Sequence, residues 1–441
     1  MVKVITYGTF DLLHYGHTRL LERAKSLGDY LIVGVTSDDF DRKRGKINVR
    51  QSLMERVEAV KATGIPDEVI IEEYEGQKID DIRKYGIDIF TVGSDWRGKF
   101  DYLRAYCDVV YLPRTEGISS TEIRSDRHGV SIGIVGETPI LKKIVNESRY
   151  VNGCTVSGIC SEDEDFMRRE FQLDYMTRNF GDLLERSDAV YIASHPSLHY
   201  THIKDALTKG KHVLCESPLA LSGEECAELF SVARSRNCVL MDAIKTAYST
   251  AYARMLLLVK SGMIGKVVSV DSVCTSIKKY ADPRVLSRKW NSLCEWGPTG
   301  LLPVFQLLGV DFRSARVLSS FADREKTFDT FSKIDLEYDR AVASVRVGNG
   351  VKSEGELVIS GTEGYIYVPA PWWKTDYFEV RYENQEQNKR YFYQLDGEGI
   401  RYEIVAFLKA IQNNRAQDAV SETISEAICC MMSVKKTELL L

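Results

Sequence analysis

Apolar positions in the first 126 residues alternate between two rhythms. VKVITY (2–7), YLIVGVTS (30–37), DEVIIEE (67–73), IDIFTVG (87–93) and DVVYLP (108–113) are short, continuous, β-branched runs. Such runs fit strands buried on both faces. Between them, HTRLLERAKSL (17–27), SLMERVEAVKAT (52–63) and KIDDIRKYG (78–86) carry apolar residues at helical spacing. Strand–helix alternation of this kind predicts a parallel sheet with helices on both faces. The pattern restarts after the charged SDRHGV (125–130) with VSIGIVG, TPILKKIVNES and CTVSGICSEDED, and it continues through SDAVYIAS, HVLCE and CVLMD. Beyond Asn291 strand-like segments follow one another with little helix between them, which predicts an open antiparallel sheet. RYEIVAFLKAIQNN and VSETISEAICCMMSVKK close the chain as helices. The expected class is α/β, with domains over 1–126, 130–247 and 248–441: a Rossmann-like domain, a second Rossmann domain, and an α+β domain with an open antiparallel sheet.

Bulk properties narrow the partners. The 441 residues exceed one ordinary core. A net charge of −5 argues against a nucleic-acid surface. No apolar run reaches the roughly 18–20 residues of a membrane span, and the strand-like N-terminus lacks the form of a signal peptide. Ten cysteines without C-x-x-C spacing are expected to be reduced thiols in a cytoplasmic protein.

Two of the seven histidines, His14 and His17, lie three apart in YGTFDLLHYGH (7–17), where the first strand gives way to a helix. Metal ligation, packing and phosphate binding are all open to such a pair. A helix N-terminus carries about half a positive charge and favours anions, so phosphate is the preferred reading. RTEGISSTEIR (114–124) offers a second such end, with Ser119, Ser120 and Thr121 supplying hydroxyls at a helix start.

YGTFDLLHYGH, GSDWRGKFDYL and YLPRTEGISSTEI together resemble the glycerol-3-phosphate cytidylyltransferase family, over essentially all of residues 1–126. The resemblance implies transfer of CMP from magnesium-bound CTP to a small polyol phosphate, with release of pyrophosphate. His14 and His17 would stabilise the α-phosphate. Lys46 and Arg114 would share the catalytic work. Thr9, Phe10, Gly16, Arg44, Ser119, Ser120 and Thr121 would contact nucleotide, and Asp11, Arg56, Asp95 and Trp96 the acceptor. Relatives carry a further arginine near Gly64, where Lys61 is the nearest cation here, so the polyol is left open. The family also implies a homodimer and, by analogy, a supply of CDP-polyols to teichoic-acid or capsule assembly.

The second half resembles the glucose–fructose oxidoreductase/inositol dehydrogenase family, most strongly over 185–270. Gly133 and Gly136 open a partial dinucleotide fingerprint, with Glu216 further along, and acids at Glu162 and Asp163 in reach of a ribose. NAD(P) is the implied cofactor. The family's Glu-Lys-Pro lysine is replaced by Ser217 in Cys215-Glu216-Ser217-Pro218, and its Asp-x3-His pair by Pro303 and Leu307. Lys245, from the next strand end, is the candidate substitute. The expected function is therefore CDP-polyol synthesis fused to an oxidoreductase-like domain. The alternative is a bifunctional enzyme whose second half reduces a ketose phosphate to supply the polyol phosphate.

Overall fold

Each β-branched run of the first unit forms a strand: β1 (Lys3–Gly8), β2 (Tyr30–Thr36), β3 (Glu68–Glu72), β4 (Ile89–Gly93) and β5 (Asp108–Leu112). Helices α1 (Tyr15–Lys25), α2 (Asp38–Lys43), α3 (Leu53–Ala62) and α4 (Gln77–Tyr85) connect them. This computed structural model describes residues 1–13, 15–43, 49, 51–74, 76–113, 129–278, 290–393, 395–413 and 419–438. The chain divides into two compact units, Met1–Gly129 with Tyr150–Gly153, and Val130–Arg149 with Cys154–Leu441.

In the first unit all strands pair in parallel, in the order β3-β2-β1-β4-β5. Alternate side chains serve opposite faces. Val4, Leu31 and Val33 pack with Leu21 and Val57 on one side, whereas Ile5, Ile32 and Phe90 pack with Ile82 and Leu103 on the other. Helix α3 begins with a capping box in which Ser52 and Glu55 satisfy each other's backbone N–H groups. Strand order reverses between β1 and β4, so their carboxyl ends open a crevice.

The second unit starts with β6 (Val130–Gly136), β7 (Cys154–Cys160), β8 (Met176–Thr177), β9 (Ala189–Ala193), β10 (His212–Glu216) and β11 (Leu240–Ala243). They form a parallel sheet in the order β11-β10-β9-β6-β7-β8. Helices α5 (Ile140–Ser148), α6 (Glu164–Glu170), α7 (Phe180–Glu185), α8 (Pro196–Thr208) and α9 (Gly223–Ser235) complete this layer. The order is that of a dinucleotide-binding sheet, with its switch point between β6 and β9.

After α10 (Thr250–Lys260) comes a ten-stranded sheet. Its long strands are β12 (Val267–Ile277), β13 (Ser314–Phe321), β14 (Asp329–Glu337) and β15 (Val342–Gly348). The antiparallel expectation is corrected at two places: β12 pairs with β15 in parallel, and β13 pairs in parallel with the C-terminal strand Lys436–Glu438. The texture after Asn291 also concealed a helix, α11 (Ser292–Leu308), which includes Pro298 and Pro303. Its apolar residues Leu301, Leu302, Val304 and Phe305 join the core against the sheet, and this burial outweighs the cost of two internal prolines. Helices α12 (Ile400–Asn413) and α13 (Glu422–Met432) close the described chain. None of its helices is long and apolar enough to cross a membrane.

Candidate functional sites on two sheet edges

The first site is built on the turn between β1 and α1. Two non-glycine residues in it, Phe10 (φ 53°) and Leu12 (φ 47°), adopt left-handed backbone. That conformation costs energy and persists only where surrounding contacts impose it. Here three polar contacts do so. Thr9 Oγ1 donates to Asp41 Oδ1 at 2.9 Å, Gln51 N donates to Asp11 Oδ1 at 3.0 Å, and Leu12 N donates to Gln51 Oε1 at 2.8 Å. The Phe10 ring is buried and meets His17 edge-on, with centroids 5.5 Å apart. Gly16 and His17 are the second and third residues of α1, whose first turn carries no acid to neutralise the helix end.

Arg56 anchors this turn. Its guanidinium is fully buried, and Nη1 donates to Thr9 O at 2.7 Å and Thr36 O at 2.8 Å, while Nε donates to Gln51 O at 3.2 Å. Asp38 pairs with Nη2, and Asp41 lies 3.6 Å from Nη1. Arg56 and Asp11 were expected to hold the acceptor. Both side chains are buried, with Arg56 bonded to Thr9 O and Asp11 accepting from Gln51 N. A buried cation needs such a ring of acceptors to offset its desolvation.

Across the crevice, Asp95 and Trp96 lie in the turn Ser94–Trp96 that follows β4. The Trp96 ring stands 5.9 Å from Phe100, with Lys99 Nζ 5.2 Å from its centroid. One cation at this carboxyl edge escaped sequence reading: Lys78, buried, paired with Glu72 and 4.5 Å from the Tyr7 ring centroid. It sits in a segment whose helical spacing masked it. The structure thus brings Thr9, Phe10, Asp11, Gly16, His17 and Arg56 together. His14, Arg44, Lys46, Arg114, Ser119, Ser120 and Thr121 lie outside the described residues.

The second site lies at the edge of β6, β9, β10 and β11. Gly136 has φ 128°, and a Cβ there would fall 2.3 Å from Ala193 O, so only glycine allows β6 to end against β9. Gly133 serves packing, since its Cβ would strike Ser187 and Leu183. Helix α5 has no side-chain cap, and the buried Thr138 Oγ1 at its start has no hydrogen-bond partner among the described residues. An uncapped helix end with a spare hydroxyl fits the diphosphate of a dinucleotide. The ribose expectation fares differently. Asp163 caps α6 by accepting from Phe166 N, and Glu162 pairs with Arg178 at 3.1 Å.

Buried carboxyls gather near the carboxyl ends of β10 and β11. Tyr191 Oη donates to Glu216, whose pKa burial raises. Burial also pushes Asp242 up to about 7, against the lowering effect of hydroxyls from Ser217 and Ser425; Ser425 Oγ donates to it at 2.9 Å. Glu403 is buried, with Oε2 unpartnered among the described residues, and desolvation, followed by Glu216, holds its pKa well above the carboxylate range. Lys245 is the counter-charge that Glu216 and Glu403 both sense. Glu398 is the exception among these acids. Burial would raise it, yet hydrogen bonds from Lys143 and Lys374 and the charge of Lys245 hold it at about 2.

His195, His199 and His202 are structural. His195 accepts from Ser197 N at the start of α8, and His202 Nδ1 contacts Ser194 Oγ at 3.0 Å. His199 places both ring nitrogens against backbone carbonyls, and burial lowers its pKa to about 4. Among the described residues no group of three or more His, Cys, Asp or Glu is placed to hold a metal.

Two measurements check these assignments. Arg56→Met leaves Asp41 buried without its cation and should cost about 3–5 kcal/mol in urea unfolding of the first unit. An unchanged midpoint would remove the anchoring role. For Asp242, a folded pKa raised above the unfolded value means stability is complete below about pH 4 and lost as pH rises through about 7. Asp242→Asn should therefore improve melting temperature more at pH 8 than at pH 5, and equal changes at both would show that the fold does not raise the Asp242 pKa.

Comparison with known proteins agrees with both sheets. Residues 5–126 match the family described as Cytidylyltransferase-like, and residues 130–243 match the oxidoreductase family with an NAD-binding Rossmann fold. The glycerol-3-phosphate cytidylyltransferase of Bacillus spizizenii is 55% identical over 126 residues, 29% of this chain and 97% of that protein. The Bacillus subtilis protein of the same name is 52% identical over 130 residues, 30% of this chain and 100% of its own length. A solved 3-ketoreductase from Actinomadura kijaniata, in complex with NADP and TDP-benzene, superimposes with a TM-score of 0.63 at 18% identity. That match covers 71% of this chain and all of the ketoreductase, and it establishes the fold of the second unit. The first 126 residues make this chain a member of the cytidylyltransferase family, a nucleotidyltransferase domain joined here to a domain of the glucose–fructose oxidoreductase/inositol dehydrogenase family.

Proposed function

We propose that the first unit transfers CMP from CTP to a polyol phosphate, forming a CDP-polyol and pyrophosphate. The observation that carries this reading is the left-handed Thr9–Leu13 turn, locked by Arg56, which presents His17 and the acid-free first turn of α1 at the switch point of the sheet. An oxygen of the polyol phosphate attacks the α-phosphorus in line, and the bond to the β-phosphate oxygen breaks as pyrophosphate leaves. The protein supplies position and positive charge rather than a covalent intermediate. His17 and His14 donate to the α-phosphate. Arg44, Lys46, Arg114, Ser119, Ser120 and Thr121 take the nucleotide and leaving group, and magnesium arrives with CTP. Asp95 and Trp96 face the acceptor, while Asp11 and Arg56 position the turn. The 52–55% identity to two glycerol-3-phosphate cytidylyltransferases, over 97% or more of their lengths, supports the acceptor class.

Incubation with CTP, Mg²⁺ and three- to six-carbon polyol phosphates should release pyrophosphate with at least one acceptor; silence across the panel would sink the reading. His17→Ala should lower turnover roughly 10²–10⁴-fold while CTP binding persists. Near-parental turnover would exclude the imidazole from the chemistry.

A second reading is favoured by one observation, Lys245 just after β11, 3.4 Å from Glu398 and with its charge felt by Glu216 at the end of β10. There the second unit reduces a ketose phosphate to the polyol phosphate that the first unit consumes. When bound, NAD(P)H would supply hydride to the carbonyl carbon. Thr138 and the start of α5 hold its diphosphate, and Lys245 or the neutral acid of Asp242 gives the proton to the carbonyl oxygen. Ketose phosphates should then oxidise NADH or NADPH, and Lys245→Met should reduce that rate at least about 100-fold without altering pyrophosphate release. Absence of oxidation with either nucleotide leaves the second unit without reductase chemistry.

A further inference from the structure

Three ammonium groups of the second unit converge on a single oxygen atom. Lys143 on α5, Lys374 in the turn Trp372–Lys374, and Lys245 just after β11 lie 2.7, 2.9 and 3.4 Å from Glu398 Oε2. They reach it from three separate elements, two on the dinucleotide-binding layer and one on the large sheet. Three positive charges meeting one carboxylate leave an excess of two at that point. Such an excess is unfavourable unless an anion of higher charge takes the position.

The carboxylate itself is held on an unusual segment. Gly397 (φ 57°, ψ 28°) and Glu398 (φ 55°, ψ 24°) are consecutive left-handed residues. A side chain at Gly397 would strike Glu147, and Arg401 fixes that acid by an ion pair at 2.9 Å. The backbone therefore bends sharply to deliver one negative charge to the lysines. All four side chains remain open to solvent, with exposures of 47% for Lys143, 24% for Lys245, 34% for Lys374 and 36% for Glu398. Lys245 also links this point to the buried carboxyls of Glu216 and Glu403.

We propose that Lys143, Lys245 and Lys374 form a phosphate-monoester site of the second unit, in which the Glu398 carboxylate holds the anion's position until a phosphorylated polyol or ketose displaces it. Lysine recognises phosphate as a point charge, so three ammonium groups around one oxygen suit a dianion better than they suit a single carboxylate. A monoester seated there directs its carbon chain toward the edge of β10 and β11, where Glu216 and Asp242 stand. The proposal rests on the second reading above for the identity of the organic part, and on the lysine geometry alone for the anion.

The test is protection of individual lysines in the full chain from an amine-modifying reagent, read by peptide mass spectrometry. Inorganic phosphate, glycerol 3-phosphate, a ketose phosphate, NADH and NADPH are titrated separately. The expected result is that the monoesters protect Lys143, Lys245 and Lys374 together with one midpoint. Glu398→Gln should lower that midpoint several-fold, and Lys374→Gln should raise it about tenfold or more, the loss of one charge-assisted contact. No protection by any monoester, or a midpoint indifferent to Glu398→Gln, overturns the site. Protection by the dinucleotides but not by the monoesters overturns it in favour of a cofactor contact. Ketose-phosphate reduction without lysine protection would defeat this site while sparing the reductase reading. Protection without reduction supports the site and defeats only the chemistry.

Discussion

The first unit depends on one buried charge. The Arg56 guanidinium, with no exposure to solvent, ties Thr9 at the end of β1 to Thr36 at the end of β2, and holds Asp38 and Asp41 of α2 beside them. Removing an arginine from water is costly, and the cost is offset only when nearly every N–H finds an oxygen. That requirement fixes the path of the Thr9–Leu13 turn more tightly than packing alone would. Two non-glycine residues there accept left-handed backbone, and helix α1 follows directly. The position of His17 therefore depends on a buried cation one helix away.

The second unit shows the opposite use of buried charge. At its strand edge three carboxyls, Glu216, Asp242 and Glu403, are withdrawn from water with few cations to balance them, and each responds by holding its proton more firmly. A short distance away Glu398 sits among three lysines and is held strongly acidic. Acids of one chemical type thus divide into proton holders and a permanent anion through their neighbours. The dinucleotide-binding frame is intact around them, with Gly136 crossing β9 and α5 left uncapped. The family's reacting lysine is absent from its strand, and Lys245 is the nearest substitute.

Much of the frame was legible from local pattern. Continuous β-branched runs became the parallel strands of both sheets, and the helical spacing of SLMERVEAVKAT (52–63) became α3. The glycines were less transparent. Gly133 and Gly136 opened a partial dinucleotide fingerprint, and the close packing each also permits was not visible, because the absence of a side chain has the same appearance in sequence whatever approaches it. Helix α11 was hidden by Pro298 and Pro303, whose local cost is outweighed only by burial against the sheet. The two parallel pairings of that sheet, β12 with β15 and β13 with Lys436–Glu438, join segments far apart in the chain, and no local rhythm encodes them.

The amino-acid sequence by itself determined the element order and the two doubly wound layers. These follow from side-chain periodicity and from residue types whose chemistry is carried locally. Tertiary structure alone decided what the isolated charges do. Arg56 and Asp11 became supports of the first turn, because folding placed backbone carbonyls and the Gln51 amide within their reach. Lys143, Lys245, Lys374 and Glu398 became one cluster because three distant elements meet at a single oxygen. Charges act through space over a few ångströms, and sequence separation does not record that distance.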